Sequence, residues 1–275
     1  EYLIMSCKIK EYADELQATA KKLATFGKGI LAVDESTNTC GKRLADIGLE
    51  NTEENRQAYR GMLFTAPGLG EYISGAILFE ETLYQNHADG ESMVEKLNKQ
   101  GIIPGIKVDK GLKPLVGALH HETYCSGLDG LTERAQEYYK QGARFAKWRA
   151  VLQITEDGPS DFAIKENAWG LARYARAVQE AGLVPIVEPE ILMDGDHHIE
   201  KTAAVQERVI KEVYAACATA GVLLEGTLLK PSMTVCGADC PDQADYKKVA
   251  GYTIRTLLRS VPAAVAGINF LSGGL

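Results

Sequence analysis

The stretch LLEGTLLKPSM, Leu223 to Met233, is an apolar run that carries one lysine, Lys230, just before Pro231 stops it. Eight such residues after a helix-ending glycine, Gly221, fit a buried strand better than a helix. Strand alternation then sets Leu224, Gly226, Leu228 and Lys230 on one face. An ammonium at the end of that face is partly desolvated, which favours the neutral amine. A neutral amine attacks carbonyl carbon, the first requirement of Schiff-base chemistry. On this stretch alone a plainer reading is the stronger one: a lysine stem lying on apolar surface with its charge in water. The rest of the chain has to shift that balance.

The neighbouring segments repeat one plan. Residues 11–26 predict an amphipathic helix with Tyr12, Leu16, Ala20 and Leu23 on one stripe and Gly27 as its stop. GILAV then runs into Asp34, Glu35, Ser36 and Thr37. Thr52 followed by Glu53 and Glu54 predicts a capped helix with acids in its first turn, breaking at Pro67-Gly68. Residues 73–81 predict a second strand, helix 91–100 ends at Gly101, and IIPGIKVDK predicts a third strand with Lys107 and Asp109 on one face. Helix 131–141 ends at Gly142, and ARFAKWRAV follows with Lys147 and Arg149 two apart. Helix 161–181 ends at Gly182 before LVPIVEPEI, which sets Glu188 and Glu190 on one face. Helix 199–220 leads into the Lys230 strand, and a helix over 242–259 precedes AVAGINFLSGG, closing on Ser272-Gly273-Gly274.

Lys107, Lys147, Glu188, Lys230 and Ser272 stand 40, 41, 42 and 42 positions apart. A period near 40 suits one strand, one helix and their loops, and seven such strands can be counted. Strands this apolar are covered on both faces of a parallel sheet. The expected fold is α/β, a TIM-type (β/α) barrel, because the unusual residues all fall at strand C-termini, where barrel sites are built. An open doubly wound sheet is the alternative, and it predicts a glycine-rich phosphate turn after the first strand. GILAVDESTN contains no G-x-G-x-x-G.

Composition sets the outer bounds. The chain has 275 residues, 45% hydrophobic and 24% charged, with a formal net charge of −7. That balance gives no general attraction to nucleic acid or to an anionic membrane. No apolar run approaches the length of a membrane span, and the first residues match no complete secretory or transit signal. The six cysteines are scattered, which favours reduced thiols in an intracellular soluble protein. Cys236 and Cys240 lie in a polar loop with no second ligand pair nearby, so no metal site is expected there.

On the barrel reading, Asp34, Lys107, Asp109, Lys147, Arg149, Glu188, Glu190, Lys230 and Ser272 point to one mouth. Each taken singly has a structural explanation: Lys147 with Glu188 as an ion pair, Glu190 as a helix-cap acid, Lys107 as a solvated cation. Together they outweigh it, because burying charge costs several kcal/mol per ion. A second cation beside Lys147 is costly, so one neutral amine is expected of Lys147 and Lys230, with Glu188 exchanging protons with both. Ser272-Gly273-Gly274 offers backbone N–H groups to an anion such as phosphate. Lys42 and Arg43 offer charge to a second anion, or form an ordinary solvated helix face.

LAVDEST, NTEENR, ILFEETLYQ, GIKVDKG, ARFAKWR, LVPIVEPEIL, LLEGTLLKPSM and FLSGG resemble, in order and spacing, class I fructose-1,6-bisphosphate aldolase, most closely its plant and algal branches. The resemblance implies cleavage of fructose 1,6-bisphosphate to dihydroxyacetone phosphate and glyceraldehyde 3-phosphate, and the reverse, in glycolysis, gluconeogenesis or the Calvin cycle. Lys230 corresponds to the Schiff-base lysine, Glu188 to the acid/base, Lys147 to the lysine assisting it, and Asp34 to the carboxylate acting on the C4 hydroxyl. Ser272 and Gly273 correspond to the carbon-1 phosphate loop; Ser36, Lys42, Arg43 and Lys107 to groups around the carbon-6 phosphate. Thr39 stands where many relatives have serine, and Arg149 and Glu190 are expected to support the reacting groups from behind. The route implied uses no metal and no cofactor; its partners are sugar bisphosphate and triose phosphates, with no nucleic acid and no membrane. A homotetramer of the full-length protein, in cytoplasm or plastid stroma, is expected.

The same resemblance predicts an eighth strand with an arginine for the carbon-1 phosphate, a last helix and a tail ending in tyrosine. These are missing after Leu275, so residues 1–275 are expected to form a single incomplete barrel domain. A sheet left open at the first and seventh strands exposes unpaired backbone groups. The expectation is a fragment that is aggregation-prone and nearly inactive by itself.

Overall fold

A computed structural model describes residues 7–270. It begins with α1 (Cys7–Leu23), β1 (Gly29–Val33), α2 (Thr37–Asp46), α3 (Glu53–Phe64) and α4 (Leu69–Tyr72). There follow β2 (Ile73–Leu78), α5 (Glu80–Tyr84), α6 (Met93–Asn98), β3 (Ile103–Lys107) and the short strands β4 (Leu112–Pro114) and β5 (Thr123–Cys125). Next are α7 (Leu131–Lys140), β6 (Phe145–Leu152), α8 (Asp161–Gln179), β7 (Val184–Ile191) and α9 (Ile199–Ala220). A 3-10 turn (Leu224–Gly226), β8 (Leu228–Leu229), α10 (Tyr246–Ser260) and β9 (Gly267–Ile268) complete the order. The caps follow the chemistry of the termini: Thr52 Oγ1 accepts from Asn55 N at 3.2 Å, and Gly221 ends α9 at φ +69°.

Seven strands form one sheet in the order β1-β2-β3-β6-β7-β8-β9, every pair parallel. Each strand pairs with the next barrel strand in the chain, so there is no reversal of order and no topological switch point. That excludes a doubly wound sheet and gives the curl of a (β/α) barrel. The antiparallel β4–β5 pair is a side hairpin between β3 and α7, which the expected plan did not include.

The sheet separates two apolar regions by strand parity. Outward residues such as Ala76, Leu78, Ala146, Trp148, Val187 and Leu229 pack beneath the helices. Tyr174 of α8 donates from its hydroxyl to the Ala146 carbonyl at 2.7 Å, with the Ile186 carbonyl at 3.2 Å, tying β6 and β7 to one helix. Inward-facing Ile77, Phe145, Val184, Ile186 and Leu228 pack instead against Leu16, Ala20 and Leu23 of α1. The helix thus plugs the N-terminal mouth of the barrel.

Several sequence-based boundaries are corrected. Leu223–Lys230 is not one strand, because the Gln179 amide donates to the Leu223 carbonyl at 2.8 Å and to the Gly226 carbonyl at 3.2 Å, holding a turn there. Only Leu228 and Lys230 keep the expected alternation, and the Lys230 N–H still donates to the Val187 carbonyl at 2.8 Å. The first helix ends at Leu23, short of Gly27, and the second strand ends at Leu78, where Phe79 turns the chain into α5. Asp109 lies two residues past β3. Ser272 and Gly273 lie outside the described residues.

Phe145 fills the space that a side chain on Gly105 would take, and a Cβ built there overlaps the ring. Gly105→Ala should therefore cost about 1–3 kcal/mol through overpacking. Denaturant unfolding measures it; an unchanged midpoint would mean that the ring is not held in this position.

Candidate active site

The inward positions that carry apolar residues near the plug carry charge one or two steps further along the strands. Lys147 follows Phe145 on β6, Glu188 follows Ile186 on β7, and Lys230 follows Leu228. Asp34 is the first residue past β1. Lys147 Nζ lies 2.9 Å from Asp34 Oδ2 and 3.5 Å from Glu188 Oε2, and Lys230 Nζ donates to Glu188 Oε1. Asp34 is 9% exposed, Lys147 8% and Glu188 3%. Glu188 Oε2 faces the Lys147 ammonium but accepts no hydrogen bond.

Charge neighbours decide the state of Lys147. Burial pulls its pKa down, but the Asp34 and Glu188 carboxylates outweigh burial and hold the ammonium above its ordinary range. The expectation that crowding would neutralise one of the two lysines does not hold for Lys147. Its charge is matched within the cluster by Asp34 and Glu188.

The remaining sequence-predicted residues fall into three groups. Arg149 and Glu190 pair with each other beside the cluster, consistent with a supporting position. Lys107 Nζ lies 2.9 Å from Asp109 Oδ1 and pairs in register with Lys147 across β3 and β6. Around the first strand end, Ser36 caps α2 by accepting from Thr39 N at 3.2 Å, and the two hydroxyls lie 3.0 Å apart. Arg43 is bound to Glu35 and donates to Tyr59 Oη at 3.1 Å, while Lys42 is exposed. No group of three or more His, Cys, Asp or Glu among the described residues is arranged to hold a metal ion.

Sequence reasoning missed what supports Asp34. Arg60 is fully buried, donating to Glu81 Oε1 at 3.1 Å and to the Glu35 carbonyl at 2.7 Å. Arg56 grips the same Glu81 carboxylate with two bonds, 3.0 and 2.6 Å, and holds it below the usual carboxylate range. The available signal was two arginines four apart on α3, facing an acid just past β2.

The fold and this cluster define an α/β barrel with a lysine–carboxylate centre at its strand ends. A family model described as "Fructose-bisphosphate aldolase class-I" matches residues 15–275, and the chain belongs to that family. It is 61% identical over 263 residues to a chloroplastic fructose-bisphosphate aldolase of Oryza sativa, covering 96% of this chain and 67% of the relative. Identity to chloroplastic aldolase 1 of Arabidopsis thaliana is also 61%, with 65% of that protein covered. The chain thus spans about two thirds of these curated relatives. A cytosolic aldolase of Arabidopsis thaliana is 60% identical, with 98% of this chain and 75% of the relative covered. A solved Plasmodium falciparum aldolase, in complex with TRAP and a small-molecule inhibitor, superposes with a TM-score of 0.95 at 53% identity. It covers 100% of this chain, which spans 80% of that structure.

A raised folded pKa at Lys147 means that its stabilisation is complete below the free lysine value, 10.5, and is lost as pH rises through the higher folded value. Lys147→Met should cost about 3–5 kcal/mol near neutral pH, because it leaves Asp34 buried without its partner. In denaturant titrations the gap between the two proteins should stay level at mildly alkaline pH and narrow only above 10.5. A gap already closing near about pH 8 would show that the ammonium is not held in this way.

Proposed function

We propose that this chain carries the centre for aldol cleavage of fructose 1,6-bisphosphate, and for the reverse condensation, through an imine on Lys230. The observation that supports it best is the Glu188 carboxylate, buried between the Lys147 and Lys230 ammonium groups at the strand ends. Glu188 takes the Lys230 proton, and the freed amine attacks the C2 ketone of the open-chain sugar. Returning that proton to the carbinolamine oxygen expels water and leaves a protonated imine. Asp34 then removes the C4 hydroxyl proton, the C3–C4 bond breaks, and its electron pair is held as enamine by the imine nitrogen. The aldehyde leaves; protonation at C3 and hydrolysis release the ketone and restore Lys230. Lys147 remains an ammonium throughout, paired with Asp34 and facing Glu188.

Ser36, Thr39, Lys42, Arg43 and Lys107 receive one phosphate in this proposal, with Ser272 and Gly273 receiving the other. Arg43 exchanges Glu35 for the phosphate, a trade of one anion for another that keeps its charge paired. The named relatives include chloroplastic and cytosolic proteins, which supports plastid or cytosol as the setting. No helix of the described residues is long and apolar enough to cross a membrane. Assembly of the full-length protein as a homotetramer belongs to the same proposal, and exposed Phe162 and Trp169 on α8 offer apolar surface for it.

Borohydride reduction with dihydroxyacetone phosphate, followed by peptide mapping, tests the proposal. Label should fall on Lys230, and Lys230→Met should abolish it while phosphate binding survives. Glu188→Gln should lower turnover by about a hundredfold or more, the scale of general acid–base catalysis, and Glu190→Gln by less. Label on another lysine, or the reverse ranking of the two glutamine variants, sinks the assignment. Turnover with fructose 6-phosphate as donor would point instead to a transaldolase.

A further inference from the structure

Beyond Lys230 the chain crosses to α10 through a loop containing Cys236 and Cys240, both unpaired and buried, at 3% and 5% exposure. Their side chains share one small apolar cluster with Ile199. Both thiols donate to the same acceptor, the Asp242 carbonyl, at 3.7 and 3.5 Å. A turn closes the four-residue interval, with Cys240 N donating to the Gly237 carbonyl at 3.1 Å. Both sulfurs are thus held against one carbonyl oxygen by local structure.

The second observation is a base. Cys240 Sγ lies 3.5 Å from His198 Nδ1, and His198 is exposed, so a proton taken from the thiol has a path to water. The cysteines buried elsewhere lack this. Burial pushes the Cys217 thiol up to about 12 with no charged neighbour, and burial together with Asp109 pushes Cys125 up to about 12. Cys40 is also raised, chiefly by burial. A thiolate is the reactive form, so the histidine selects Cys240. Ala244 N donates to Cys236 Sγ at 3.3 Å and holds the second sulfur in place.

We propose that Cys236 and Cys240 are a reversible disulfide pair, closed by a peroxide and opened by a dithiol, with Cys240 as the attacking sulfur and His198 as its base. His198 takes the Cys240 proton, and the thiolate attacks one peroxide oxygen. The O–O bond breaks, Cys240 becomes a sulfenic acid, and the departing hydroxide takes up the proton as water. Cys236 then attacks the Cys240 sulfur, the S–O bond breaks, and a second water leaves with the Cys236 proton. Two electrons pass from the sulfurs to the peroxide, and the reducing dithiol returns them. This assignment does not depend on the proposed aldol chemistry.

The test needs only the reduced protein and hydrogen peroxide. Fragment-ion mass mapping should find that the segment from Cys236 to Cys240 has lost two hydrogens and regains them with dithiothreitol, while Cys40, Cys125 and Cys217 (the last on the same tryptic peptide) stay open to alkylation after unfolding. Cys236→Ala should let dimedone trap the sulfenic acid on Cys240, and His198→Gln should slow closure by about tenfold or more. No mass loss at the pair, earlier oxidation at Cys40, Cys125 or Cys217, or closure unchanged in His198→Gln would each overturn the proposal. So would a Cys240→Ala protein whose Cys236 takes up dimedone as readily as Cys240 does in Cys236→Ala.

Discussion

A buried carboxylate shared by two ammonium groups is the constraint around which the inner face of this sheet is arranged. Glu188 alone at 3% exposure would cost several kcal/mol of lost hydration. Asp34, Lys147, Glu188 and Lys230 together carry no formal net charge, and strand register fixes the contacts that Glu188 makes. The Val187–Leu229 pairing of β7 with β8 sets Glu188 beside Lys230, and the β6–β7 ladder sets Lys147 against the same strand. Lys147 is held as a cation by two carboxylates, Glu188 on β7 and Asp34 just past β1.

Asp34 is the member of this set with the weakest strand support, since β1 has only β2 beside it among the described residues. Its position is recovered from the other side of the chain. Arg60, fully buried, fixes the next residue through the Glu35 carbonyl, and Arg56 with Glu81 holds Arg60 in turn. Arg56 is satisfied by four hydrogen bonds to Glu81 and Asn51, whereas Arg60 leaves its Nε without an acceptor and lies over the Phe79 ring, 5.4 Å from the centroid. The same segment bears Ser36 and Arg43, so one network determines how the first strand end meets the mouth.

Much of this was legible in the residues. Apolar strands ending in charge, a repeat near forty and glycines past the helix ends gave the barrel, and alternation along β6 and β7 gave Lys147 with Arg149 and Glu188 with Glu190. What failed did so where tertiary contacts override local pattern. The run Leu223–Lys230 reads as strand throughout, yet the Gln179 side chain, far away in sequence, turns half of it into a 3-10 segment. The end of α1 was misplaced because Gly27 looks like a cap, whereas the helix has already ended at Leu23. Arg56 and Arg60 resemble solvated helix residues until the fold sets Glu81 opposite them. The protonation of Lys147 could not be read from crowding alone, since it depends on two carboxylates arriving from different strands.

The role of α1 follows from the same parity. Inward-facing Ile77, Phe145, Val184, Ile186 and Leu228 are closed from below by Leu16, Ala20 and Leu23. The layer beneath the charged residues is therefore apolar. An interaction between charges weakens in proportion to the polarisability of what surrounds them, so a dry floor strengthens each contact of Glu188 and Lys147 relative to the same contact in a wet channel. The apolar plug and the charged rim are thus one device: the lower residues of each strand set the dielectric in which its upper residue works.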